Sequence, residues 1–369
     1  MNSCVTSNVK PDLHGGAPLR AVSVGAEQWC HSVRMVNMSR PWDLLFPPES
    51  IYKRRSSFDV GTNQVFGLVY AGDVVIAAYV IAMRDRDSCL MDVRCTEGAG
   101  NDWPDHMMDH WEQVATASDA TTMTGPVGAF PFLTDGVSLE DATQVKSIHI
   151  PTYPHIIVDS FVRRGYVHAW SGTIWGRGES VANPPTDEPP RQPGVRVGTW
   201  MNVVSTARKL ERVLSASFST LPWHRGSGAT LGALARGYFA VCTPSLVLLG
   251  EAQAETVGAV LMYRDMTQIP KTVHSWPRII QETWLWFAAL RSKSVHVSVI
   301  GLLPKARNSR TGAALFAATK DVLSRADHVT TSWIRDDNRP SRMMAMRVGL
   351  EPIQQRTVFR KVISTISNN

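Results

Sequence analysis

The stretch PKARNSRTGAALFAATK, residues 304–320, sets Lys305, Arg307 and Arg310 just ahead of an alanine-rich amphipathic segment. A helix start exposes unpaired N–H groups and carries partial positive charge, so basic residues there can gather an anion. A phosphate cradle is one reading, and a solvated loop with ordinary surface charge is the other. Just upstream, His296 and Ser298 share the run VHVSVIGLL (295–303). A histidine on such a strand can take a proton from an amine, directly or through water. It can equally be a strand histidine satisfied by a backbone group. Ser332, in SWIRDDNRP (332–340), is placed to orient a carbonyl or a water. Asp336 and Asp337 precede Asn338 there, and paired carboxylates can split their pKa values and supply a base. Asp and Asn also favour turns and helix caps. His106 and His110 stand i, i+4 beside Asp109, a spacing that puts two imidazoles on one helix face, as a metal site needs. No Glu follows the first histidine and no third ligand is evident. The pair therefore reads as a solvated polar face, and no metal is expected.

The elements that must position these residues follow from periodicity. In 295–303, Val295, Val297 and Val299 alternate with His296 and Ser298, as on a strand with two unlike faces. On a helix over 312–325, Leu315, Ala318, Thr319 and Val322 share one face, which suits packing on a sheet. Helices are also expected over 203–217, around 277–291, and over 339–350, the last closed by Gly349. Strands are expected over 328–334 and 356–363. In EGAGNDWPDHMMDHWEQVA (97–115), Asn101 or Asp102 can cap a helix whose first turn holds Pro104. Trp276, Trp284, Trp286 and Trp333 read as core or pocket wall, suited to an apolar or amphipathic ligand.

The chain has 369 residues, more than the ~250–300 at which single cores stop growing, so two domains are expected. It carries a net charge of +6, with basic residues scattered, which favours anionic ligands but shows no nucleic-acid tail. Five irregularly spaced cysteines without a CxxC argue against a disulfide framework or zinc site and fit a reducing, cytoplasmic setting. The N-terminus lacks an export core, and the longest apolar run, 74–83, is far below the roughly 18 residues of a membrane span. No membrane association is expected. Residues 1–20 and 364–369 read as tails, and 176–198, rich in Pro and Gly, as a linker between domains at 21–175 and 199–363.

The two halves resemble each other. LVYAGDVVIAAYVIAMRD (68–85) and LLGEAQAETVGAVLMYRD (248–265) each read as a hairpin ending in Arg-Asp, offset by 265 − 85 = 180 residues. Gly165 and Gly349 follow helical stretches at an offset of 349 − 165 = 184. Landmarks at similar offsets favour tandem copies of one domain.

GLLPKARNSRTGAAL (301–315), SWIRDDNRP and the late Gly349 together resemble the GNAT superfamily of N-acetyltransferases. More narrowly, they look like a bacterial tandem GNAT-like group of poorly defined function. GPVGAF (125–130) and PTYPHIIVDSFVRRGY (151–166) resemble first-half segments of the same group. The resemblance implies an α/β fold of two tandem domains, each a mostly antiparallel twisted sheet with flanking helices and a splayed central strand pair. It implies acetyl-CoA or another acyl-CoA as co-substrate, with its pyrophosphate on the loop Arg307, Asn308, Ser309, Arg310, Thr311, Gly312 and Ala313. Leu302 and Leu303 would bond pantetheine through their backbone, and Asn338 would contact the cofactor arm. His296, Ser298, Ser332 and Asp337 are the catalytic candidates.

Two positions depart from the family pattern. Arg310 stands where a glycine is expected, and Ala345 stands where a tyrosine general acid is usual. Asp102 and Asp105 put negative charge where the first half would bind phosphates, so that copy is expected to be structural or to shape the acceptor pocket. The expected function is acyl-CoA-dependent N-acyl transfer to an amine of a small-molecule or peptide-like acceptor. The alternatives are a degenerate pair that binds a ligand or partner, or a GNAT-fold transferase whose donor is an acyl carrier protein or aminoacyl-tRNA.

Overall fold

The structure is a computed structural model, and it describes residues 18–36, 63–84, 86–96, 98–127, 136–139, 147, 150, 153, 155–177, 192–217, 246–266, 269–270, 272–273, 276–307 and 309–363. Asn308, most of the expected linker, residues 1–17 and the expected C-terminal tail lie outside these residues, while Leu19 and Arg20, expected in the N-terminal tail, begin the first strand.

The first half runs β1 (Leu19–Val24), α1 (Ala26–Met35), the hairpin β2 (Asn63–Ala71) and β3 (Val74–Arg84), and β4 (Asp87–Cys95). Then come α2 (Trp103–Ala117), β5 (Thr122–Gly125), β6 (Val137–Ser138), α3 (Ile156–Arg163) and β7 (Val167–Arg177). The second half runs β8 (Val195–Val197), α4 (Val203–Ser217), the hairpin β9 (Val247–Ala252) and β10 (Glu255–Arg264), α5 (Arg278–Arg291) and β11 (Ser294–Leu302). It closes with α6 (Arg310–Ser324), β12 (His328–Thr331), β13 (Ile334–Arg335), α7 (Arg339–Arg347) and β14 (Glu351–Val362). Both ends of the segment read as a linker are in strands, β7 reaching Arg177 and β8 beginning at Val195.

Among the described residues, 14 strands form one sheet; twelve follow the order β1-β2-β3-β4-β5-β14-β7-β12-β11-β10-β9-β8, while β6 pairs with β14 and β13 with β7. It is mixed α/β and mostly antiparallel, as the sequence implies, with parallel pairs at β4·β5 and β11·β12. The halves exchange strands. β14, the end of the second half, lies between β5 and β7 of the first, while β7 pairs with β12 and β13 of the second. Arg177 on β7 also donates to the carbonyl of Leu323 at 2.6 Å, satisfying an end group of α6.

The repeat survives in three dimensions, with its offset changing at two places. Hairpin ends Arg84 and Arg264 differ by 264 − 84 = 180, but helix starts Trp103 and Arg310 differ by 310 − 103 = 207. The second half therefore holds 207 − 180 = 27 extra residues between β10 and β11, and they carry α5. Gly165 and Gly349 return the offset to 184, and both have positive φ, 73° and 78°, the left-handed conformation glycine supplies after a helix.

The core has layers. α2 and α3 cover one face of the first half, with Trp103, Met107, Trp111 and Phe161 buried beneath them. α6 and α7 cover the second half over Val295, Val297, Leu315 and Val329. A further cluster joins the halves, holding Trp29, Phe66 and Leu68 together with Leu214, Leu249, Tyr263 and Leu285. On the inserted α5, Leu285 and Ala289 are buried in this cluster, while Ile279, Phe287 and Leu290 are exposed. Of the tryptophans, Trp284 packs against the joining cluster, but Trp276 and Trp286 are on the surface.

His110 departs from the solvated face expected of it. It is buried and bonds Tyr79 Oη at 2.6 Å and Ser23 Oγ at 3.0 Å. Gly67, opposite Tyr79 on β2, makes room for that ring, since a Cβ there would lie 2.1 Å from it. Burial lowers the His110 pKa below the usual imidazole value. The unfolded chain then binds the extra proton first, so stability is lost as pH falls below the unfolded imidazole pKa, near 6.5. Chemical denaturation between pH 7.5 and 5.5 should show this loss, and His110→Gln should flatten it.

Candidate functional site

β11 and β12 run parallel only from Ser294↔His328 to Val297↔Thr331, ending with the Ser332 N–H donating to the Val297 carbonyl at 2.9 Å. β11 continues to Leu302 against β10, while the chain after Ser332 stays along β7 through β13. The two strands thus splay, opening backbone hydrogen-bonding groups at a V-shaped gap. A β-bulge marks the vertex: Leu261 pairs Val299 and Met262 pairs Val297, which leaves Ser298 without a register partner.

The bulge also corrects the simple alternation expected for this strand. Val295 and Val297 pack under α6, but Val299 joins the cluster on the other face. His296 lies on the face away from α6 and is 1% exposed. Its Nδ1 is 2.9 Å from Thr330 Oγ1 and its Nε2 is 3.1 Å from Ser332 Oγ. Thr330 in turn donates to Asp265 Oδ2 at 3.0 Å. The buried Asp265 is fixed at the root of the insertion, its Oδ1 accepting from the Met266 N–H and its carbonyl from Ser292 Oγ. A polar chain of four side chains therefore ends on Ser332, half-buried at the vertex of the splay.

The first half has the same frame. β4 and β5 are parallel from Asp87↔Thr122 to Cys89↔Thr124, the Val127 N–H donates to the Leu90 carbonyl at 2.8 Å, and Met91 is the bulged residue. Bulge positions 91 and 298 differ by 298 − 91 = 207, the offset of the helix starts. Cys89, Thr124 and Val127 then occupy the places of His296, Thr330 and Ser332, and Cys89 and Val127 belong to an apolar cluster.

By sequence, no family model and no curated protein matches the chain. Solved structures do. A tandem GNAT protein from the clavulanic acid biosynthesis pathway superposes with a TM-score of 0.53 at 14% identity, covering 94% of this chain and 98% of that one. A GCN5-related N-acetyltransferase from Sphaerobacter thermophilus gives 0.50 at 12% identity, covering 95% and 96%. The chain has the tandem GNAT fold. Identities this low speak to architecture alone.

In GNAT terms, the loop from Leu302 to Ala313 stands at the open end of the splay. Leu303 is taken at both backbone groups, its N–H by Val257 at 3.0 Å and its carbonyl by the Ala306 N–H at 2.8 Å. Strand alternation then turns the Leu302 N–H toward the gap. Ser309 caps α6 itself, its hydroxyl accepting from the Gly312 N–H at 3.1 Å. A Cβ on Gly312 would lie 2.4 Å from the Ala306 carbonyl, so glycine is needed for the loop to pack on its own helix. That reason differs from a close approach to phosphate. Thr311 turns its methyl toward β9, where a Cβ on Gly250 would touch it. Arg307, Arg310 and Ala313 are exposed, and Lys305 pairs with Glu255.

The remaining candidates lie apart from the relay. Asp337 is exposed and forms a bidentate pair with Arg335 at 2.6 and 3.1 Å. Asp336 accepts from Thr173 Oγ1 at 3.1 Å, and Asn338 caps α7 by accepting from the Ser341 N–H at 3.3 Å. Ala345 and its counterpart Phe161, each four residues before the closing glycine, are both buried in the cores. In the first half, Asp102 takes the N-cap position without a side-chain cap bond, and Asp105 is paired with Arg163 at 2.7 Å and Arg164 at 3.3 Å. Among the described residues, no group of three His, Cys, Asp or Glu is placed to hold a metal ion, and no helix is long and apolar enough to cross a membrane.

Residue-by-residue reading finds His296 and Ser332 but passes over Asp265 and Thr330. A signal for Asp265 is present: it is the Asp of the Arg-Asp pair that closes the second hairpin.

Proposed function

We propose that the chain is an acyl-CoA-dependent N-acyltransferase, moving an acetyl or other acyl group to the amine of a small-molecule or peptide-like acceptor, with the donor held by the second half. The observation that carries this reading is the splay of β11 from β12, with a basic loop and helix start at its open end and the His296–Ser332 pair at its vertex. Arg307 and Arg310 would meet the donor's pyrophosphate, and the Leu302 backbone its pantetheine arm. His296, on the face opposite α6, would take the amine proton, and N–H groups bordering the gap would stabilise the oxyanion. Holding the acyl group and the amine together at one gap supplies much of the rate.

The test is calorimetric titration with acetyl-CoA and longer acyl-CoAs. Saturation near one site per chain is expected, with affinity at least ~10-fold weaker in an Arg307→Glu/Arg310→Glu variant. Charge reversal on exposed side chains is the better control, because any side chain at Gly312 would strike Ala306 whether or not a donor binds. Absence of binding to every acyl-CoA would overturn this donor. It would favour an acyl carrier protein, an aminoacyl-tRNA, whose binding would be strongly salt-dependent, or a pair of domains without transfer chemistry.

A further inference from the structure

The chain Asp265–Thr330–His296–Ser332 has a direction. Thr330 has one hydroxyl proton and gives it to the Asp265 carboxylate, so its oxygen accepts from His296 Nδ1–H. This assigns the Nδ1–H tautomer from its partners. The lone pair of Nε2 then faces Ser332 Oγ at 3.1 Å, the relation of a base to the hydroxyl it activates. The arrangement is a serine–histidine–carboxylate relay with a threonine hydroxyl inserted between imidazole and carboxylate.

The fold does not require it. The first half builds the same parallel pair, bulge and splay with Cys89 and Val127 at the places of His296 and Ser332. Burying His296 carries a desolvation cost that Cys89 avoids. The second half retains the polar set, and it ends on Ser332, a half-buried residue at the gap where the proposed function seats a thioester.

We propose that Ser332 is an acyl-accepting nucleophile, with His296 as its base and Thr330 and Asp265 as positioning residues; only the identity of the donor rests on the acyltransferase reading. Ser332 Oγ attacks the thioester carbonyl carbon as its proton passes to His296 Nε2. The C–S bond breaks, and His296 returns that proton to the leaving sulfur, giving an acyl ester on Ser332 and a free thiol. The acceptor amine then attacks the ester, the C–O bond breaks, and His296 carries the amine proton to Ser332 Oγ. His296 thereby supplies the acid that Ala345 cannot.

Two acyl donors test this separately from the donor reading. With p-nitrophenyl acetate and no amine, the expected result is a burst of nitrophenolate near one per chain and one acetyl group on the peptide containing Ser332. Ser332→Ala should abolish both. Thr330→Val, which keeps shape and removes the hydroxyl, should slow acylation roughly 10–100-fold. It should also displace the pH profile of acylation, which loss of packing alone would not do. No adduct, an adduct on another residue, or a burst retained in Ser332→Ala would overturn the assignment. Acetyl-CoA is the second donor. Acylation of Ser332 by the ester but not by acetyl-CoA would support the nucleophile and count against CoA as donor.

Discussion

Replacing His296 by glutamine is expected to lower kcat for acyl transfer by about 10²–10⁴-fold while leaving acyl-CoA affinity unchanged. Glutamine can keep hydrogen bonds to Thr330 and Ser332, so the local packing survives, but it cannot carry a proton between nucleophile, amine and leaving sulfur. The residue is 1% exposed, and its partners lie at 2.9 and 3.1 Å, so water is poorly placed to replace it. The donor would be bound mainly at the far end of β11, which the substitution does not touch. Steady-state rates with an amine acceptor, paired with calorimetric titration, separate the two quantities. A rate within a few-fold of the parent would remove His296 from the chemistry. A parallel loss of affinity would mean that the strand itself had shifted.

Arg94→Met should be the most damaging single change to the fold, lowering stability by about 3–5 kcal/mol. Arg94 and Asp92 are each about 1% exposed at the side chain and meet through two hydrogen bonds of 2.8 and 3.0 Å to one carboxylate oxygen. The guanidinium also lies over the Trp29 ring, 5.4 Å from its centroid, beside the cluster that joins the two halves. Removing it leaves the Asp92 carboxylate in a dry core. Replacing both residues removes both desolvation costs, so Asp92→Leu/Arg94→Met should recover much of the loss. Urea unfolding of the parent, the two single variants and the double variant gives the coupling directly. Single losses that simply add in the double variant would show that the pair contributes no mutual stabilisation.

Much of the secondary structure was legible from local pattern. The helix expected over 203–217 is found there, and the one expected over 339–350 ends by Arg347, with Gly349 beyond it in the left-handed conformation. Periodicity located β11 but misplaced Val299, because a bulge adds a residue without changing composition. The repeat was visible in its hairpins. Its change of register was not, since the 27-residue insertion carries a helix of ordinary pattern, α5. Strand partners were illegible: nothing local in β14 distinguishes a place beside β5 from one beside β12. At the site, residue chemistry pointed to His296 and Ser332, whereas Asp265 and Thr330 needed the fold to bring a hairpin end and a later strand together. Asp337 looked suited to a base, and its pairing with Arg335 on the same turn depends on side-chain geometry that spacing does not give.

The exchange of strands also has a consequence for how the protein must be made. β14 holds almost the last described residues, yet it fills the slot between β5 and β7, with Phe359 opposite Gly125, 359 − 125 = 234 residues apart. A ribosome that has finished the first half has produced a sheet open at β5 and a strand, β7, whose partners β12, β13 and β14 are all still to come. Pairings this distant form slowly, and unpaired edges are sticky while they wait. A premature stop before residue 351 would therefore harm the half already synthesised as much as the half it truncates.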